Sequence, residues 1–115
     1  MNINHALIAF SALSQETRLS VFKLLIEYGK SGAPAGALSD QLDIPHNTLS
    51  FHLSHLAHAG LVTSRKQGRQ MIYAANCDTV EGLIDYLKEN CCIREGASSG
   101  CATDCKPKSR KRSKK

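Results

Sequence analysis

The sequence predicts a mainly α-helical domain with one small β-hairpin, and three observations carry that prediction. In SQETRLSVFKLLIEYGK the apolar residues Leu19, Phe22 and Ile26 recur at i, i+3 and i+7, the period of a helix with one buried stripe. Two short runs, LVTSRK and QMIYAA, flank a turn containing Gly68, which is the pattern of a hairpin. Beyond it CDTVEGLIDYLKENCC returns to helical period through Val80, Leu83, Ile84 and Leu87. A chain of 115 residues has room for one such domain and its tails.

The elements follow in order. HALIAFSAL, from His5 to Leu13, holds Leu7, Ile8 and Phe10 in a short helix, with Ser14 as N-cap of the next one. That second helix gains Val21, Leu24, Leu25 and Tyr28 on its apolar side and stops at Gly29 and Gly32. GALSDQLDIP reads as a short helix through Leu38 and Leu42. It ends before Pro45, because a proline pushes the preceding residue out of helical geometry. In HNTLSFHLSHLAHAG, Leu49, Leu53 and Leu56 form the packing side; Thr48, Phe51, His52, Ser54, His55 and His58 point to the other, and Gly60 is the stop. The hairpin tip carries Arg65, Lys66 and Arg69. In the last helix Cys91 falls four residues beyond Leu87, on the same face. Residues 1–93 therefore read as the domain, and 94–115, rich in Gly, Ser, Lys and Arg without apolar period, as a flexible tail containing two cysteines.

Charge narrows the function. The formal net charge is +5, but the last ten residues, KPKSRKRSKK, hold seven of the fifteen Lys and Arg and no acid, leaving residues 1–105 at −2. Binding to a polyanion must then rest on local placement of charge, with the tail adding affinity and no sequence reading. The first fourteen residues lack a positive n-region and a long apolar run, so the expectation is a cytoplasmic protein without a membrane span. In that reducing compartment five cysteines, an odd number, point to metal or redox chemistry before a disulfide scaffold. No Cys-x-x-Cys, no phosphate loop and no Cys-His spacing suggests an enzyme.

A helix, a helix, a short helix, a polar-faced helix, a hairpin with a basic tip and a final helix form the order of a winged helix-turn-helix. The motif residues go further. Ser50, His52, Leu53, Leu56, Ala59, Gly60, Leu61, Val62, Gly68, Arg69 and Tyr73, in that order, resemble the recognition helix and wing of the ArsR family of metal-responsive repressors. The resemblance covers about residues 4–92. It implies a homodimer, paired through its first and last helices, that binds double-stranded operator DNA. His46, Asn47, Thr48, Ser50, Phe51, His52 and His55 would then lie on the DNA-reading helix, where short polar side chains and backbone amides meet bases and phosphates. Arg65, Lys66 and Arg69 would hold flanking phosphates or enter the minor groove. A zinc site at His46, His55 and His58 is the weaker use of those histidines, since no Cys or acid shares the helix.

The cysteines complete the reading. Relatives often sense metal through thiols in the third helix, but GALSDQLD contains none. One branch of the family resembles this chain in ending its last helix Glu-Asn-Cys-Cys, here Glu89 to Cys92, with a further Cys in the tail. That resemblance implies As(III) or Sb(III) bound by three thiolates as the inducer, with release of the operator on binding. Soft thiolates select thiophilic ions, which agrees. Adjacent cysteines on a continuous helix point about 100° apart, so both reach one ion only where the helix frays. Cys91 and Cys92 are thus two ligands, and Cys101 the third, with Cys105 as the alternative because loop-closure entropy barely separates them. Cys77 is expected as a buried structural thiol. Zinc or cadmium on the same thiols, and thiol redox sensing, are the alternatives.

Overall fold

A computed structural model describes residues 1–95; Cys101, Cys105 and the basic tail lie outside the described residues. The chain forms α1 (Ile3–Leu13), α2 (Glu16–Tyr28), a 3-10 turn (Gly29–Ser31), β1 (Ala33–Pro34), α3 (Ala35–Leu42), α4 (His46–His58), β2 (Val62–Gln67), β3 (Gln70–Ala75), α5 (Cys77–Lys88) and a last 3-10 turn (Ile93–Glu95). This is the winged helix-turn-helix order, with α3 and α4 as the helix pair and β2–β3 as the wing. Among the described residues no helix is long and apolar enough to cross a membrane.

The first two helices part where capping changes hands. Asn2 caps α1 by accepting from the His5 amide at 2.8 Å. Ser14, expected to cap α2, instead closes α1, its hydroxyl donating to the Ser11 carbonyl. Gln15 caps α2, accepting from the Arg18 amide at 2.9 Å. A longer side chain one residue later does the work assigned to serine, because the chain must first turn the corner.

The core is built on α4. Leu49, Leu53 and Leu56 are fully buried with Val21, Leu25, Leu38 and Leu61 around them. Each such leucine contributes about 1.5–3 kcal/mol by leaving water. The buried face of α2 differs from the Leu19, Phe22, Ile26 stripe expected from the sequence, and α1 buries its small residues. In α1 the buried side chains are Ala6, Ala9 and Ala12, whereas Leu7, Ile8 and Phe10 are exposed. In α2 they are Val21, Phe22 and Leu25, whereas Leu19 and Ile26 stand outside. The alanines explain it: a small-residue face lets α1 approach closely, and the bulky residues are left on the opposite side. Gln41 donates to the Tyr28 hydroxyl and so joins α3 to α2.

The sheet has three strands in the order β1–β3–β2, all antiparallel. β1 is two residues long and escaped the sequence, because Ala33 and Pro34 show no alternation. Its start requires Gly32, which has φ +72 and would bring a side chain against the backbone carbonyl of Tyr73. The wing turns through Gly68 and Arg69 between paired Gln67 and Gln70. A positive φ at Gly68 alone suits a two-residue turn of type II′.

Candidate functional site

At 100° per residue, Asn47, Phe51, Ser54 and His58 share the side of α4 opposite the leucine stripe. All four are exposed, as are His46, Thr48, Ser50 and His55 around them. The helix begins at Pro45, which supplies no side-chain cap, and Asn47 Oδ1 accepts from the Thr48 amide at 2.9 Å. α4 thus offers water a short-chained polar face around one large aromatic ring. Ser54 and His58 belong to this face as fully as the residues singled out from sequence. The spacing i, i+4, i+7, i+11 from Asn47 is the signal that identifies them.

His52 is corrected. It was expected on the outward side, but it is 9% exposed and its Nδ1 is buried without a hydrogen-bond partner. Counting i+3 from Leu49 puts it beside the packing stripe. Burial first, then the Arg18 guanidinium and His55, lower its pKa from the ordinary 6.5. Arg18 itself is fixed in the corner between α1 and α2, its Nε donating to the Ala12 carbonyl at 2.7 Å. The folded state therefore favours the neutral ring over the charged one. Below pH 6.5 the unfolded chain takes up a proton that the folded one resists, so stability is full above that pH and falls as acid is added. Unfolding in urea from pH 7.5 to 5 is expected to show this loss, at most about 1.4 kcal/mol per pH unit. In His52→Leu that part of the slope disappears; an unchanged slope would assign it to other groups.

The wing's cations divide between two faces. In the hairpin register Arg65 pairs with Ile72 and Lys66 with Met71. Neighbours on a strand alternate sides, so Arg65 lies on the inner side with buried Ile72 and Lys66 on the outer. The Arg65 guanidinium donates to the Ser31 carbonyl at 3.0 Å and to Gln67 Oε1 at 3.4 Å. It braces the wing against the end of α2. Lys66 and the turn residue Arg69 are exposed.

At the other end of the molecule, α5 stops earlier than its sequence period. It ends at Lys88, and Glu89 is already extended, with φ −60 and ψ 141. Asn90 and Cys92 then take left-handed φ of 65 and 63. Asparagine tolerates this conformation, and for a cysteine it costs about 1–2 kcal/mol. The result is the convergence that a helix forbids: Cys91 Sγ and Cys92 Sγ stand 3.4 Å apart, both half-buried. Two thiolates about 2.3 Å from one ion lie within about 4.6 Å of each other, so the pair fits a shared ion. Thiolates are the ligating form, so the reduced chain is the one that binds an ion. Among the described residues no group of three His, Cys, Asp or Glu side chains is placed to hold a metal, which covers His46, His55 and His58 as well. The third thiolate proposed from sequence, Cys101 or Cys105, is outside the described residues. Cys77, expected to be buried, is exposed at the start of α5.

The two ends are joined. Asn76 Nδ2 and Thr79 Oγ1, at the start of α5, both donate to the carbonyl of Gly60 just past α4, at 3.2 and 2.7 Å. The Asn76 amide donates to the Leu61 carbonyl at 2.8 Å.

Known proteins share this arrangement. A helix-turn-helix domain family matches residues 13–65. The transcriptional activator HlyU of Vibrio cholerae is 30% identical over 91 residues, 79% of this chain and 82% of that protein. The arsenical resistance operon repressor of Bacillus subtilis is 31% identical over 94 residues, 80% of this chain and 86% of that protein. Among solved structures, an ArsR-like transcriptional regulator from Rhodococcus sp. RHA1 superposes with a TM-score of 0.70 at 27% identity, covering 80% of this chain and 84% of that one.

Proposed function

The chain belongs to the ArsR family of winged-helix transcriptional regulators, and on that premise we propose that it is a homodimeric repressor that leaves its operator when As(III) or Sb(III) is bound. The observation that carries the inducer class is the thiol pair, Cys91 Sγ and Cys92 Sγ, 3.4 Å apart beyond α5. Soft sulfur donors favour a thiophilic ion over a hard one. The likeness to the Bacillus subtilis arsenical resistance operon repressor supports the same class. Cys101, or else Cys105, supplies the third thiolate.

DNA is read by the outward face of α4, with Lys66 and Arg69 of the wing on phosphates. The dimer covers apolar residues that α1 and α5 leave exposed: Leu7, Ile8 and Phe10 on one, Ile84 and Leu87 on the other. Signal passes from the thiols along α5 to the Gly60 carbonyl and so to the end of α4. By linkage the inducer weakens DNA binding by the factor that DNA weakens the inducer, typically about 5–150-fold.

Oxidant sensing is the second reading, favoured by two cysteine sulfurs standing 3.4 Å apart. The deciding experiment follows release of operator DNA by arsenite, antimonite, zinc, cadmium and peroxide side by side, with reductant in all but the last. Release by arsenite and antimonite at the lowest concentrations supports the proposal. Release by zinc, cadmium or peroxide alone overturns it.

The wing gives an independent check. Arg69→Ala should weaken operator binding and make the log–log salt dependence shallower by about 0.9 for each phosphate that the side chain neutralises. Titrations at several salt concentrations measure the slope, and a wild-type slope at wild-type affinity would remove Arg69 from the interface.

A further inference from the structure

Phe51 is 64% exposed in the middle of the outward face of α4. Its neighbours on that face, Asn47 one turn before and Ser54 and His58 after, are polar. A large apolar ring there gains nothing from the core and meets water at full cost. The ring is held in a defined attitude, edge-on to His52 at 5.7 Å and to His55 at 6.0 Å between ring centres. One of those two rings is itself anchored in the core, since His52 is buried.

A phenyl ring has no donor or acceptor, so it contributes neither a phosphate contact nor a hydrogen bond to a base edge. The apolar feature that the major groove does present is the C5-methyl group of thymine. We propose that Phe51 is a specificity residue that packs against a thymine methyl in each operator half-site, with Asn47 and Ser54 supplying polar contacts on either side. This rests on the reading that α4 enters the major groove, and it deepens that reading by naming the base.

The test uses the full-length chain and uracil, which differs from thymine by that methyl alone. Binding duplexes are selected from a random-sequence pool, and each thymine of the half-site is then replaced in turn by deoxyuridine. Wild-type protein is expected to lose about fourfold in affinity per half-site at one position, the scale of burying one methyl group. Phe51→Ala should bind the thymine and uracil duplexes equally, and Phe51→Leu should keep part of the preference. Circular dichroism checks that the variants are folded. If uracil is neutral at every position, or its penalty persists undiminished in Phe51→Ala, the inference fails while DNA binding stands. A Phe51→Ala variant whose loss lies in dimerisation, measured by sedimentation, would instead assign the ring to the protein interface. A pool that yields no binding duplex sinks the operator reading and this inference with it.

Discussion

Cys91→Ser and Cys92→Ser are each expected to bind the operator like the wild type and to lose arsenite-induced release altogether. Serine keeps the size of cysteine and replaces a soft sulfur by a hard oxygen, so the fold survives and affinity for a thiophilic ion does not. What disappears is the whole inducer effect on DNA binding, about 1–3 kcal/mol for couplings of this kind. The two sulfurs are 3.4 Å apart only because Cys92 adopts a left-handed backbone, so neither has a substitute among the described residues. Cys77→Ser, at an exposed site beginning α5, should respond normally. Cys101→Ser and Cys105→Ser should differ from each other, Cys101→Ser being the one that loses the arsenite response. Titrating arsenite into the reduced protein–operator complex, read by fluorescence anisotropy, tests all five. Release from Cys91→Ser at wild-type arsenite concentrations would move the site elsewhere.

The largest effect on stability is expected at Gly32→Ala. Gly29 and Gly32 have nearly the same backbone, φ +73 and +72, but different surroundings. A Cβ at Gly29 meets nothing within 4 Å, so Gly29→Ala carries only the backbone penalty of its positive φ with ψ −155, about 1–3 kcal/mol. A Cβ at Gly32 runs into the backbone carbonyl of Tyr73, and a strand of the sheet must move to admit it. That adds overpacking of about 1–3 kcal/mol, for a total of roughly 2–6 kcal/mol. This takes much of the stability of a domain that has about 5–15 kcal/mol in all. Urea melts of the two variants against wild type measure the difference, and equal losses would show that the β1–β3 pairing yields freely.

How much of this was legible depended on whether a pattern fixes a face or only an element. Leu49, Leu53 and Leu56 gave both, because α4 has a single aliphatic stripe and, Phe51 and Ala57 apart, the rest of it is polar. In α2 the residues Leu19, Val21, Phe22, Leu24, Leu25 and Ile26 are spread over more than half the helix circumference. The period named the element, while only packing against the alanines of α1 chose Val21, Phe22 and Leu25. His52 was misread for a related reason: a polar side chain next to a leucine stripe follows the helix geometry inward whatever its hydrogen-bonding needs. The thiol pair was half legible. Neighbouring cysteines require an irregular backbone to meet, which the sequence implied, but the stop at Lys88 and the left-handed Asn90 and Cys92 had no propensity signal strong enough to predict. The inner side of the wing carried no signal at all, since the carbonyl that Arg65 reaches belongs to Ser31, thirty-four residues earlier.

The joint between α4 and α5 has a bearing on how such a protein changes over generations. Its acceptor, the oxygen of Gly60, is a main-chain atom that every amino acid carries, although φ +80 favours glycine at this position. Drift can exchange the donors Asn76 and Thr79 for other short polar residues, yet it cannot delete the acceptor. On the proposed function, the half of the molecule that reads genetic text and the half that tastes its chemical surroundings meet at a main-chain atom that no exchange of donor side chains removes. New tastes are free to arise at the distal end of α5 by altering a few codons, without relearning the text.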